Sequence, residues 1–206
     1  MRILAALLLL SAGLAAEMRY PRHNINLGIG AGQPRGDLRG YFLDRVGLNV
    51  GYGYRFHPYF QADFGLDTIF GSAGVKDYLS TSLGELRIRD YQFLLPMGGR
   101  AIAPLAGGRL LLSAGVGGAY MRYGERVRQP SQYYRVDCPV CASRSGWGYY
   151  GLLGASAFLD RYQHFRLGVT SRVYRGHTEG DPLGPVPGLR TRDHWINIFG
   201  EFGVSF

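Results

Sequence analysis

Charged side chains of both signs recur at alternate positions inside apolar stretches of this chain, which places them on one face of a β-strand. An unpaired charge buried in a narrow interior carries a large desolvation cost, so such side chains are expected to pair. We predict that Arg55 and Asp63 lie at similar depth, because they flank one turn, and that Arg172 pairs with Glu201. The whole predicted network comprises Arg55, Asp63, Asp67, Asp90, Arg100, Arg172 and Glu201.

A second group with possible chemistry is the pair Cys138 and Cys141, which Pro139 and Val140 separate. A Cys-x-x-Cys pair within a βαβ pattern would indicate redox catalysis, but no such pattern surrounds this one. One pair supplies too few ligands for a four-coordinate zinc site. A local disulfide is therefore the favoured interpretation for an oxidising compartment, with free thiols and a redox or metal role as the alternatives.

Period-two alternation, which is typical of a strand with one apolar face, is clearest at the C-terminus. Every second residue there is apolar or glycine: Ile196, Ile198, Gly200, Phe202, Val204 and Phe206. The same pattern predicts eight strands, at 24–31, 45–56, 60–70, 86–103, 109–122, 147–159, 165–175 and 194–206. In the fourth strand Leu86 and Ile88 fall on the polar side, which predicts a β-bulge near Arg89.

The N-terminus has the pattern of a secretory signal peptide. Arg2 precedes an apolar run over 3–10, and small residues follow as far as Ala16. A membrane-spanning helix needs roughly 20 apolar residues, so this run is too short to be one. We predict a signal peptide at 1–16 and one domain at 17–206, with the cleavage position left open.

The composition suits strands that pack closely around a filled interior. The chain has 32 Gly, 15 Tyr and 11 Phe, and only 18% of its residues are charged. The net charge of +8 is carried almost entirely by arginine. An exported chain without a basic helix is not expected to bind nucleic acid. Arginine binds phosphate in bidentate fashion, so the composition favours an anionic partner that carries phosphate, with a bias in codon composition as the alternative explanation.

The whole mature chain resembles the small eight-stranded bacterial outer-membrane family, which includes the OmpA-type membrane domain and its opacity-type, porin-like relatives. The resemblance lies in the run 46–70 with its His57-Pro58 hinge, in the run 91–103 and in the terminal run 195–206. It implies an all-β, eight-stranded, antiparallel, up-and-down transmembrane β-barrel in the outer membrane of a Gram-negative cell envelope. It also implies that the strand ending at Phe206 closes the barrel and is recognised by the barrel-assembly machinery. The phosphate-bearing partners that it implies are outer-membrane lipids and lipopolysaccharide.

The connections between the predicted strands alternate long and short. This asymmetry fits short periplasmic turns and long extracellular loops. A soluble lipocalin-like barrel is the alternative, and it would bury the apolar face that a membrane barrel turns to lipid. We expect the membrane barrel, because the polar face carries few charges and many glycines.

The function expected from this pattern is non-enzymatic: the barrel stabilises the membrane or binds an extracellular ligand through its loops, with no cofactor and no metal. Candidate loop residues are Arg126, Arg128, Tyr133, Tyr134 and Arg135. The first alternative is a lipid A-modifying hydrolase, which would need contact between Ser171, His194 and one of the acids Glu179, Asp181 and Asp193. The second is a narrow channel, which would need a continuous lumen through the predicted ion pairs.

Overall fold

The structure is a computed structural model that describes residues 20–40, 42–69, 78–81, 84–129, 136–138, 141, 143–180, 188 and 190–206. The predicted signal peptide lies outside this range and stays a prediction. The strands are β1 His23–Gly36, β2 Arg45–His57, β3 Phe60–Ile69, β4 Tyr78–Thr81, β5 Gly84–Leu105, β6 Leu110–Val127, β7 Ser143–Phe158, β8 Phe165–Gly180 and β9 Arg190–Ser205. Among these described residues, no helix is long and apolar enough to cross a membrane.

Eight of the strands form a closed antiparallel barrel in the order β3-β2-β1-β9-β8-β7-β6-β5. Pairing of β3 with β5 closes the ring, and the short β4 extends β5 as a hairpin. Closure leaves none of the eight barrel strands as an open edge. The predicted all-β, eight-stranded, up-and-down architecture is confirmed.

The two ends of the barrel differ. At one end, here called the short-turn end, the connections are the segments 58–59, 106–109 and 159–164, and both ends of the barrel sheet meet there. The backbones of His23 and Phe206 exchange two hydrogen bonds of 2.7 and 2.9 Å, and their rings stack with centroids 5.5 Å apart. The last strand therefore closes onto the first, as predicted. The opposite end, here called the long-loop end, is where the chain passes from β1 to β2, from β3 to β5, from β6 to β7 and from β8 to β9.

The outer face of the barrel is apolar and the inner face is polar or tightly packed. Ile29, Val116 and Leu153 are 63%, 71% and 67% exposed, whereas Asn49, Asp67 and Asn197 are fully buried. A soluble barrel has the opposite polarity, because its apolar side chains form the interior. The soluble alternative is therefore wrong for this chain.

The strands run further towards the long-loop end than the sequence predicted. β5 and β6 pair without interruption from Leu105 and Leu110 up to Ile88 and Val127. The bulge predicted near Arg89 is therefore wrong. Ile88 falls on the inner side because the interior is apolar at this level, where the prediction assumed a polar lumen throughout. The register irregularity lies instead in β2, between Arg55 and His57.

Asp160 organises the turn between β7 and β8. Its carboxylate accepts hydrogen bonds from the backbone N–H groups of Tyr162, His164 and Phe165, at 3.2, 2.9 and 2.8 Å. The hydrogen bond from Phe165, followed by those from His164, lowers the pKa of this carboxyl below its ordinary value. The carboxylate form thus holds the turn in the conformation that lets β8 return beside β7.

We expect Asp160→Ala to lower the free energy of unfolding, and Asp160→Asn to lower it less, since the amide oxygen still accepts. Because the pKa of Asp160 is depressed in the folded barrel, its contribution is complete above the unfolded pKa and is lost as the pH falls through the folded pKa. Urea unfolding in lipid vesicles, from neutral pH to about pH 3, measures this. Arg161→Ala on the same turn is the control. An Asp160→Ala barrel with the wild-type pH profile would contradict the assignment.

Candidate functional site

The centre of the lumen is organised around one carboxylate. Asp67 on β3 is fully buried. It accepts hydrogen bonds from Arg172 Nη1 at 2.5 Å, the Tyr174 hydroxyl at 2.6 Å, Asn49 Nδ2 at 2.6 Å and Asn197 Nδ2 at 3.3 Å. These donors come from β2, β8 and β9, so the carboxylate of β3 links strands on opposite sides of the barrel.

Arg172 also reaches Glu201, as the sequence suggested. Its Nη2 lies 3.5 Å from Glu201 Oε1, a longer contact than the one to Asp67. The principal partner of Arg172 is therefore Asp67, and Glu201 is the second acid on the same guanidinium. The network continues through Asn49 Oδ1, which accepts a hydrogen bond from Asn26 Nδ2 at 2.7 Å.

A second ion pair lies nearer the short-turn end. Arg100 on β5 pairs with Asp63 on β3, and Gln61 Nε2 donates to the same carboxylate at 2.6 Å. Gln61 in turn accepts a hydrogen bond from Asn24 Nδ2, and Asn24 accepts one from the Ser205 hydroxyl. This chain of polar side chains joins β3 to β1 and β9 beneath the Asp67 layer.

Arg55 and Asp63 lie near the same turn, as predicted, but they do not pair, so the predicted membership of Arg55 in the ion-pair network is wrong. The register places Arg55 opposite Gln61, and Asp63 opposite Gly53, while both carboxylate oxygens of Asp63 are used by Gln61 and Arg100. The Arg55 guanidinium donates instead to the Pro58 carbonyl of the adjacent turn, with Nε at 3.1 Å. It also lies over the ring of Tyr20, 4.9 Å from the centroid.

Two charged positions remain: Asp90, which belongs to the predicted network, and Arg166, which does not. The side chain of Asp90 lies outside the described part of the structure, so its membership of the network stays a prediction. Arg166 is absent from the predicted set, although it is 8% exposed and lies against Gly203 in the lumen. Its inner position on β8, in phase with Thr170 and Arg172, is the sequence signal that identifies it.

Above the polar layer, towards the long-loop end, the lumen is filled by large apolar side chains. Leu38 and Phe42 come from the first long connection and fold inward. Trp195 Nε1 donates to the Tyr123 hydroxyl at 2.8 Å, and the Phe42 ring lies 5.4 and 5.5 Å from the rings of Trp195 and Tyr123. We call this cluster the aromatic plug; its members are Leu38, Phe42, Ile69, Leu94, Ala119, Met121, Tyr123, Tyr150, Leu152, Tyr174 and Trp195.

Little free space is left in the lumen. A smaller apolar cluster of Ile102, Leu111 and Phe158 lies towards the short-turn end. Between Asp63, Arg100, Tyr150 and Arg172 there is a cavity of about 10 Å³, which is room for about one water molecule. Among the described residues, polar and apolar layers together occupy the lumen.

The groups proposed for a hydrolase are not brought together. Ser171 lies opposite Ile198 and His194 opposite Arg175, so the two are four residues apart in register, roughly 13 Å along the strands. Asp193 points into the lumen, where it accepts hydrogen bonds from threonines, and Glu179 pairs with Arg190 at 2.7 Å. Asp181 lies outside the described residues.

Ser171 lines a groove of about 730 Å³ on the outer face of the barrel. The side of this groove is formed by apolar and small residues, among them Phe60, Ala62, Ala114 and Leu153. Its described lining contains no histidine and no carboxylate, so the groove itself supplies neither a base nor an acid to Ser171.

At the long-loop end, part of the predicted binding segment is described. Arg126 lies over the ring of Tyr91 with its guanidinium 5.5 Å from the centroid, and Arg128 is exposed. Tyr133, Tyr134 and Arg135 lie outside the described residues. Cys138 and Cys141 are joined by a disulfide. The described residues contain no cluster of three or more groups that could hold a metal ion.

The rim at this end carries a polar groove of about 630 Å³ between β7, β8, β9 and the 3-10 turn Asp37–Gly40. Its lining includes His177, the Glu179–Arg190 ion pair and Asp37, which accepts a hydrogen bond from the backbone N–H of Arg192 at 3.2 Å. Charges of both signs therefore face the surroundings here.

A closed eight-stranded antiparallel barrel with an apolar outer face, a filled polar interior and connections of unequal length at its two ends defines the architecture of the small outer-membrane β-barrels. Among the solved structures of this kind that match nearly the whole chain are OprG, Neisserial surface protein A and Ail. OprG from Pseudomonas aeruginosa has a TM-score of 0.56 and 14% identity, over 91% of this chain and 97% of that one. Neisserial surface protein A has a TM-score of 0.59 and 10% identity, over 89% and 97%.

The third structure, the attachment invasion locus protein Ail of Yersinia pestis, has a TM-score of 0.51 and 13% identity, over 91% of this chain and 99% of that one. No protein-family model matches the sequence, and no curated protein matches it. At these identities the likeness establishes the fold, which agrees with the family that the sequence resembles.

We expect Arg172→Met to lower the free energy of unfolding by about 3–5 kcal/mol, because it leaves Asp67 buried without a cation. Adding Asp67→Asn to that variant should recover part of the loss, since the uncompensated charge is then removed. Urea unfolding in vesicles, followed by tryptophan fluorescence, measures both. The matched control is Arg190→Met, which breaks the exposed pair with Glu179 and should cost about 0–1 kcal/mol. Equal losses for Arg172→Met and Arg190→Met would contradict the central role of Asp67.

Proposed function

We propose that this chain is a non-enzymatic outer-membrane barrel that does not conduct and acts through its surface, either by stabilising the membrane or by binding at its long-loop end. The filled lumen carries this proposal. The aromatic plug, the Asp67 layer and the Arg100–Asp63 layer follow one another from the long-loop end, and Tyr174 of the plug donates to Asp67. The cavity that Asp63, Arg100, Tyr150 and Arg172 border has a volume of about 10 Å³. A barrel of eight strands has an interior just wide enough for side chains to fill in this way.

The outer face supports a location in the outer membrane. Contiguous apolar surface of this extent is unfavourable in water and is the expected surface of a barrel in lipid. With eight strands crossing the membrane, both ends of the sheet lie on one side. The short-turn end is then periplasmic, and the long-loop end extracellular. A signal peptide over 1–16 would direct the chain to the envelope, and the strand ending at Phe206 would be presented to the barrel-assembly machinery.

Binding at the extracellular end is supported by the polar rim. The groove beside the Glu179–Arg190 pair presents donors and acceptors of both signs, which suits a polar ligand such as a glycan. Arg126 and Arg128 add cationic character near the loop closed by Cys138 and Cys141. Neither the hydrolase nor the channel gains support: Ser171 and His194 are separated, and the lumen is filled.

The location is tested by fractionation. We expect the chain, expressed with its first 16 residues in a Gram-negative host, to be recovered in the outer-membrane fraction. The folded barrel should also migrate faster on a gel without heating than after heating, because its closed sheet resists detergent. A variant that lacks Phe206 is the comparison, and it should assemble less efficiently. Recovery of the intact chain from the soluble periplasmic fraction would contradict the proposal.

The filled lumen is tested by conductance. We expect purified folded protein in planar bilayers to show no stable openings, because the plug and the ion-pair layers exclude a continuous water path. Heat-denatured protein is the control for leakage that does not depend on the fold. Long-lived openings on the nanosiemens scale, present with the folded protein and absent after denaturation, would overturn the non-conducting barrel in favour of a channel.

A further inference from the structure

Two arginines and a histidine form a straight row on the outer face of the barrel, across β1, β9 and β8. The register pairs Arg35 with His194, and His194 with Arg175. Pro34 before Arg35, Asp193 before His194 and Tyr174 before Arg175 are buried, so the three side chains point outward, and Arg175 is exposed. We call this set the outer arginine row. Directly opposed side chains on adjacent strands have Cβ atoms about 5 Å apart, so the row spans about 10 Å.

Each member of the row is the first titratable side chain beyond the apolar outer band of its strand. On β8 the outward residues before Arg175 are Phe165, Leu167, Val169, Ser171 and Val173. Phe165 and Arg175 are roughly 33 Å apart along the strand, which at a tilt of about 40° is about 25 Å along the barrel axis. That height equals the thickness of the apolar band of an outer-membrane barrel, so the row lies at the level of the extracellular headgroups.

The row lacks internal counter-charges. Within the described part of the chain, no carboxylate lies at ion-pair distance from Arg35, Arg175 or Arg192. Arg35 Nη2 donates to the Gln33 amide oxygen at 2.8 Å. The nearby acids have other partners. Glu179 pairs with Arg190, Asp37 accepts a hydrogen bond from the backbone N–H of Arg192, and Asp193 accepts one from Thr178 inside the lumen.

Arg35 and Arg175 lie on either side of His194, so two guanidinium groups face the surroundings about 10 Å apart. Arg192, which is exposed and lies opposite His177, adds a further cation directly above the row. Tyr149 lies opposite Arg175 on the other side and is 60% exposed, as expected of a girdle residue at a headgroup boundary. Guanidinium groups bind phosphate in bidentate fashion. We infer that the outer arginine row binds the phosphate groups of lipid A, the anionic glycolipid of the extracellular leaflet.

This inference deepens the proposed function, since it rests on the barrel lying in the outer membrane with its long-loop end outside. It differs from ligand binding by the loops, because the site lies on the barrel wall and faces the lipid headgroups. The barrel would thereby hold neighbouring glycolipid molecules at a fixed position around β1, β9 and β8.

The experiment titrates the refolded full-length barrel in detergent micelles with fluorescently labelled lipid A that carries both phosphates. The double variant Arg35→Gln/Arg175→Gln should raise the dissociation constant about tenfold or more. Arg35→Lys/Arg175→Lys should give an intermediate value, because it keeps the charge and loses the bidentate geometry. The matched control is Arg109→Gln/Arg161→Gln, which removes two exposed arginines from the short-turn end and should leave the constant unchanged.

Lipid A with its phosphates removed should bind the wild-type barrel as weakly as it binds the double glutamine variant. Inorganic phosphate at millimolar concentration should not displace phosphorylated lipid A, because the acyl chains anchor it beside the apolar band. Heat-modifiability of every variant checks that the barrel has formed. Equal affinity for phosphorylated and dephosphorylated lipid A, or an unchanged constant in a folded double glutamine variant, would overturn the inference. Conductance of the same protein tests the non-conducting lumen separately, so either proposal can fail alone.

Discussion

The interior of this barrel depends on one buried carboxylate. Asp67 has no exposure to solvent and accepts hydrogen bonds from an arginine, a tyrosine and two asparagines on β2, β8 and β9. Backbone hydrogen bonds join only neighbouring strands. The contacts of Asp67 also connect strands that face each other across the lumen. A buried charge is costly unless every lone pair is used, and this requirement fixes which side chains surround it. The polar layer therefore specifies one arrangement of the barrel interior as well as filling it.

Glycine makes room for this filling. A Cβ atom at Gly117 would lie 2.7 Å from Tyr150 Cε1, and one at Gly98 would lie 2.8 Å from the Tyr150 hydroxyl oxygen. Tyr150 therefore occupies space on the inner wall that β5 and β6 leave open. Gly176 has the same relation to Met121, whose sulfur would lie 3.0 Å from an added Cβ. The high glycine content that the sequence shows is thus the complement of the large side chains inside the barrel.

The sequence was sufficient for the architecture, because strand alternation is a local property. It predicted the number of barrel strands, the apolar outer face that carries Ile198 and Phe202, and the closure of the last strand onto the first. It did not predict the partner of Arg55, because side-chain pairing depends on the register of β2 against β3 and on competition from Arg100. Nor did it predict that Leu38 and Phe42 complete the aromatic plug, since nothing local indicates that a loop folds into the lumen. The alignment of Arg35 with Arg175 likewise requires the register of three strands that are distant in the chain.

The extension of the strands beyond the apolar band has a mechanical consequence. From Leu105 to Ile88, β5 remains paired over a length that corresponds to roughly 40 Å along the axis, about 15 Å more than the apolar band needs. The outermost part of the molecule is therefore a stiff, hydrogen-bonded collar, and loops begin only beyond it. The backbone of this collar loses its conformational freedom when the barrel folds. A partner that binds there therefore orders few additional residues, which lowers the entropy cost of association. The collar thus acts as a preorganised scaffold that holds recognition elements at a constant height above the bilayer.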